Sequence, residues 1–214
     1  MTSFSSIITA TGSYLPKKIV TNQELSKTVD TSDEWIVDRT GIKQRHIVAD
    51  DELTSDISVK AVKNLIEKYK IDPEKIELII LATTTPDLTF PATATAVQAK
   101  IGAKNAFAFD IQAVCSGFVY ATSIANNFIK SGQVKNALVI GADSLSKIVD
   151  WTDRNTCVLF GDGAGAVFLE ATTSENIGII ATDLNSDGTL NDILKTNGGI
   201  SLNQKTGFIE MNGR

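Results

Sequence analysis

At 214 residues the chain is long enough for one large domain or two small ones with a substantial core. A composition 43% hydrophobic and 21% charged, with no low-complexity stretch, is that of a globular chain and excludes a disordered one. The formal charge of −5, with no dense Lys/Arg cluster, argues against nucleic acid or an anionic membrane as partner.

The N-terminus, "MTSFSSIITATGSYLP", lacks the basic region of a signal peptide and reads as a first strand followed by a turn. Short helices are predicted at Asn22–Val29 and, after the cap-like "TSD", at Asp33–Arg39. From Thr54 the pattern is helical, with Ile57, Ala61, Leu65 and Tyr69 recurring every four residues. "IELIILATTT" is apolar on both faces, as a buried parallel strand is. Pro91 opens a helix to about Ile101, "AFAFDI" is a second buried strand, and Ser116–Ser131 a helix stopped by Gly132. "ALVIGAD" is a third buried strand. A turn or short helix around Asp153–Cys157 precedes two further strands, "GAVFLE" and "IGIIATDL". The β-α-β-α-β order implies an α/β layered sheet with right-handed crossovers, and no linker marks a domain boundary. The longest apolar runs are too short to span a bilayer. With only Cys115 and Cys157, free thiols in a reducing cytoplasm are expected.

Cys115 sits where a strand ends and a helix begins, the edge at which open α/β sheets bind ligands. The positive end of a helix and its unpaired N–H groups favour an anionic sulfur, and the same groups can hold an oxyanion. A buried cysteine acting as a small hydrophobe fits that position as well. Cys157 precedes an apolar run without such a corner and reads as packing. "GDGAGA", Gly161–Ala166, has the glycines of a phosphate loop, but a strand rather than a helix follows, so tight backbone packing is expected. His46 lies in the polar stretch "RTGIKQRHIV" and reads as an exposed loop histidine. One histidine and two separated cysteines make no zinc site, so no metal is expected. Trp35, Arg39 and Arg154 read singly as a core indole and two solvated cations; brought together, they would suit an adenine and phosphates.

Taken in order, "ATGSYLP", "DTSDEWIVDRTGIKQRHI", "ATTTPDLTFPATA", "FDIQAVCSGFVYA", "TDRNTCVLFGDGAGA" and "LNSDG" closely resemble the β-ketoacyl-acyl-carrier-protein synthase III family, from Ile7 to Arg214. The resemblance implies an α/β, thiolase-like fold of five layers, α-β-α-β-α, built from two similar halves and dimeric. Residues 1–214 would be the first half, carrying the nucleophile. The family's catalytic histidine and asparagine fall in the second half, so these 214 residues alone are expected to be incomplete as a condensing enzyme, and His46 is not the base.

By the same resemblance Cys115 is the nucleophile, and Thr31, Trp35, Arg39 and Arg154 bind coenzyme A. Phe90 sits at the dimer interface against the neighbour's acyl pocket. The implied reaction is acyl transfer: condensation of acetyl-CoA with malonyl-acyl carrier protein to acetoacetyl-acyl carrier protein, through an acetyl-cysteine intermediate, initiating fatty-acid synthesis. No cofactor beyond the thioester substrate is implied. Alternatives are a related enzyme with another primer and an inactive half-domain.

Overall fold

The computed structural model describes residues 5–174 and 177–212. The first four residues of the predicted N-terminal strand, and Arg214 where the resemblance ends, lie outside the described residues. In chain order the elements are β1 (Ser5–Tyr14), β2 (Lys18–Thr21), α1 (Asn22–Leu25), α2 (Asp33–Thr40), β3 (Gln44–Ile47), α3 (Thr54–Tyr69), β4 (Leu78–Ala82), α4 (Thr93–Ile101), β5 (Phe107–Ile111), α5 (Gly117–Lys130), β6 (Asn136–Ser144), α6 (Arg154–Cys157), β7 (Asp162–Thr172), β8 (Leu194–Thr196), α7 (Ile200–Asn203) and β9 (Ile209–Met211). They fall into two compact units. One gathers the chain up to Leu15 with Asp51–Asp143 and Gly163–Leu184; the other gathers Pro16–Asp50, Ser144–Asp162 and the chain from Asn185.

The first unit is built on a five-stranded mixed sheet in the order β1-β7-β6-β4-β5. β4 pairs in parallel with β5 and β6, whereas β1 runs antiparallel to β7. Leu78, Ile79, Ile80 and Leu81 of β4 have no exposed surface, as a strand covered on both faces requires. Leu78, Ile80 and Ala82 pack with Ala121, Ala125 and Ile129 of α5. The alternate residues Ile79 and Leu81 point the other way. Helix α3 buries Ile57, Ala61 and Leu65 of the predicted stripe and packs on β1, while Tyr69, the last residue of that stripe, is 40% exposed. There Gly12 is obligatory: a Cβ would lie 2.4 Å from the Ala61 carbonyl oxygen and 2.7 Å from Leu65 Cβ. Ala92 offers α4 no side-chain cap. The Asp110 carboxylate of β5 takes that role, accepting from Thr93 N at 2.6 Å and Ala94 N at 2.7 Å.

Two expectations for this unit are corrected. β5 is apolar but not buried; it is the edge strand, and Phe107 is 41% exposed. "IGIIATDL" forms no strand. It touches β1 through one backbone bond, Ile179 N to Ser6 O at 2.8 Å, and Gly178, at φ +100°, breaks the extended run.

In the second unit β2 and β3 pair antiparallel, as do β8 and β9. Helix α1 is shorter than predicted. Thr21 and Glu24 form its capping box, and it ends at Leu25 in turns that run to Val29. Ser32 caps α2, and Gly41 ends it at φ +73°. The core joins Leu25, Val29, Ile36, Ile148, Val149, Cys157, Val158 and Ile209.

Candidate functional site

Cys115 stands on a turn that the backbone holds in an unusual state. β5 extends by one bond, Thr83 N to Ile111 O at 3.1 Å, and the chain then reverses direction. Val114 adopts φ +47°, a left-handed conformation that a β-branched residue takes only at a cost of roughly 1–3 kcal/mol. Val114–Ser116 form one 3₁₀ turn, closed by Ser116 N to Ala113 O at 3.1 Å, and α5 starts directly behind it. Gly117 lets that helix start settle on β4, since a Cβ there would meet Ala82 Cβ at 3.2 Å. The Cys115 side chain is exposed, so it does not act as a core hydrophobe.

Polar groups gather at the ends of β4 and β6. Asp143 Oδ1 accepts from Thr84 N at 2.7 Å and from the Thr83 and Thr85 hydroxyls at 3.2 Å. Burial raises the pKa of this carboxyl, and these three donors pull it partly back. The Thr84 hydroxyl is buried with no hydrogen-bond partner among the described residues. Phe90, in the loop beyond, is 83% exposed and precedes a cis peptide to Pro91.

The second unit brings Trp35, Arg39 and Arg154 together. Trp35 and Arg39 share a face of α2 one turn apart. Arg39 Cζ lies 4.4 Å from the Trp35 ring centroid and Arg154 Cζ 4.1 Å, both in cation–π range. Asp153 caps α6, accepting from Asn155 N at 3.0 Å. The Arg154–Asp30 contact, at 3.8 Å to an exposed carboxylate, restrains Arg154 little. Thr31 Oγ1 is buried beside α2 with no hydrogen-bond partner among the described residues.

The remaining candidates have structural places. Cys157 has no exposed surface and packs in the second unit's core, where burial raises its thiol pKa, with Asp153 adding to the effect. "GDGAGA" leads into β7, not a helix. Its Asp162 is 6% exposed and accepts from Val48 N at 2.7 Å, Ser146 N at 2.8 Å and Ser146 Oγ at 2.5 Å. A Cβ on Gly161 would meet Arg45 Cβ at 3.0 Å. The His46 stretch is not the exposed loop expected. It is β3, with Arg45 buried, and His46 Nδ1 lies 2.6 Å from Pro16 O. Among the described residues, no group of three or more His, Cys, Asp or Glu is arranged to hold a metal ion, and no helix is long and apolar enough to cross a membrane.

The profile of the 3-oxoacyl-[acyl-carrier-protein (ACP)] synthase III family matches residues 109–188, which include the Cys115 turn. The β-ketoacyl-[acyl-carrier-protein] synthase III of Ehrlichia canis is 64% identical over 208 residues, 97% of this chain and 65% of that protein. That of Wolbachia pipientis wMel is 60% identical over 210 residues, 98% of this chain and 65% of that protein. The chain belongs to the β-ketoacyl-acyl-carrier-protein synthase III family. It spans about two thirds of the length of these relatives, slightly less in each case. The crystal structure of 3-oxoacyl-[acyl-carrier-protein] synthase III from Aquifex aeolicus superposes with a TM-score of 0.89 at 49% identity, covering 97% of this chain and 64% of that one. The priming β-ketosynthase of the R1128 polyketide pathway gives 0.87 at 30% identity, with 98% and 64% covered. The fold is accordingly the thiolase fold of β-ketoacyl-acyl-carrier-protein synthase III.

Sequence reasoning singled out Cys115 and the aromatic–arginine group. It passed over Asp162 and Arg45. Asp162 stood in plain view inside a run read for its glycines, and a charged residue amid small ones ahead of a buried strand was the available signal. The left-handed Val114 had no signal at all.

Proposed function

We propose that the chain is the cysteine-bearing portion of a condensing acyltransferase that starts fatty-acid synthesis in the cytoplasm, as a homodimer with Phe90 at the subunit contact. The observation that carries this reading is the exposed Cys115 on a left-handed turn ahead of α5, in a chain 64% identical to a β-ketoacyl-[acyl-carrier-protein] synthase III. Cys115 attacks the thioester carbon of acetyl-CoA as its thiolate. The carbonyl electrons move onto oxygen, held by backbone N–H groups at the turn, and return as the CoA thiolate leaves. Malonyl-acyl carrier protein then loses carbon dioxide. Its carbanion attacks the acetyl carbon, giving acetoacetyl-acyl carrier protein and regenerating the Cys115 thiolate. Trp35, Arg39, Arg154 and Thr31 hold the nucleotide end of CoA: the indole meets the adenine, the guanidinium groups meet the phosphates, and the Thr31 hydroxyl gains a partner. No cofactor beyond the thioester enters this scheme.

The likeness to a priming ketosynthase of a polyketide pathway supports a second reading, a primer other than acetyl. Both are tested by offering the protein acetyl-CoA and longer acyl-CoA primers with malonyl-acyl carrier protein, and mapping the acylated peptide by mass spectrometry. Acetyl label on Cys115, lost in Cys115→Ala, supports the leading reading. A strong preference for a longer primer selects the second, and an acyl group found elsewhere sinks both.

A further inference from the structure

A buried polar link in the second unit has no part in the reaction above. Arg45 is 5% exposed, and among the described residues it has no carboxylate within ion-pair distance. Its guanidinium donates to Val20 O at 3.2 Å, Val158 O at 3.1 Å and Asn22 Oδ1 at 2.9 Å, while its Nε is buried without a partner among the described residues. Burial lowers the Arg45 pKa. A buried cation compensated only by neutral acceptors is a poor source of stability, and an apolar side chain of similar size often serves as well. What the link supplies is geometry.

Asn22 has no exposed surface. Its amide donates to Asp33 Oδ1 at 2.8 Å and to Ile42 O at 2.7 Å. Asp33 is the first residue of α2, and Ile42 follows its C-cap, so one amide holds the helix at both ends. Val158, held by Arg45, is the C-cap of α6. Helix α2 carries Trp35 and Arg39, and α6 begins with Arg154. The chain of bonds α2–Asn22–Arg45–α6 therefore spans the two walls of the aromatic–arginine group.

We infer that Asn22 and Arg45 are positioning residues that fix the separation of Trp35 and Arg154, and so tune affinity for the nucleotide end of a CoA thioester without touching it. This rests on the CoA reading above. Its test begins without ligand. In a Trp151→Phe background Trp35 is the sole tryptophan, and its emission reports the stacked guanidinium groups. Asp33→Ala, Asn22→Leu and Arg45→Met should each shift that emission toward the signal of Arg154→Ala. They should also weaken CoA binding, measured by calorimetry, by about tenfold, while the iodoacetamide rate at Cys115 stays unchanged. Asp33 is exposed, so Asp33→Ala does not endanger folding. Asp33→Asn, which keeps the acceptor for the Asn22 amide, should restore both readouts. Glu34→Ala, which removes another first-turn acid of α2, should change neither. Unshifted Trp35 emission and CoA affinity within twofold of the parent in Asp33→Ala would overturn the inference. If Trp35→Ala binds CoA as tightly as the parent, the CoA reading itself fails; an emission shift in the Asn22 and Arg45 variants would still establish the link's hold on Trp35.

Discussion

Replacing Asp162 with alanine removes an acceptor that three donors share at 2.5–2.8 Å. Val48 and Ser146 are 5% and 8% exposed, so their N–H groups are left buried without a partner. Each such group costs about 1–3 kcal/mol, and relief of the desolvated carboxylate returns part of the sum. The net expected loss is about 3–4 kcal/mol, a large share of the roughly 5–15 kcal/mol that a domain has. Both tryptophans, Trp35 and Trp151, belong to the unit that contains Asp162, so urea unfolding followed by intrinsic fluorescence reads that unit directly. The midpoint should fall sharply at an unchanged slope, with Asp162→Asn between alanine and parent because the amide keeps one acceptor oxygen. A loss under about 1 kcal/mol for Asp162→Ala would show that the glycine-rich run is not tied down through this carboxylate, and would reopen a ligand-binding role for it.

Asp143 gives a pH signature. Its folded-state pKa is raised by burial, so the folded state holds the proton more tightly than the unfolded chain. Its contribution to stability is therefore greatest at low pH, and is lost as pH rises from the ordinary carboxylate value through the raised one. Asp143→Asn keeps an oxygen acceptor for Thr84 and should flatten that decline in urea titrations at stepped pH; an unchanged slope rejects the assignment. Gly12→Ala, whose new Cβ meets the backbone of α3, should destabilise by at least about 3 kcal/mol, measured by thermal unfolding. Iodoacetamide at neutral pH should label Cys115 first and Cys157 only on unfolding, and equal labelling in the folded protein contradicts their contrasting exposure.

Period and run length made most of the sheet unit readable. The four-residue spacing from Ile57 to Tyr69 and the unbroken apolar run of β4 each admit one element type. Position in the sheet was not readable, because β5 is apolar but for Asp110 and yet lies at the edge. "IGIIATDL" misled for a related reason. Its alternation suits a strand, but pairing depends on a neighbour's free edge and on the dihedral of Gly178. The Cys115 corner was legible from composition, as a thiol followed by small residues at a strand-to-helix change. Trp35, Arg39 and Arg154 read singly as a core indole and two solvated cations; that they meet is seen only in the structure, where Arg39 lies one helical turn from Trp35 and Arg154 reaches the same indole from a distant segment. The buried roles of Asn22, Arg45 and Asp162 depend on partners far along the chain, which no local window contains.

The indole of Trp35 already has occupants. A guanidinium carbon 4.1 Å from its centre sits at stacking distance, leaving no gap for a flat purine between Arg154 and the ring. Any base that enters must first part an attraction the protein makes with itself. The heat released on binding would then be the difference between two like contacts, so a small value would say nothing about how closely the guest fits.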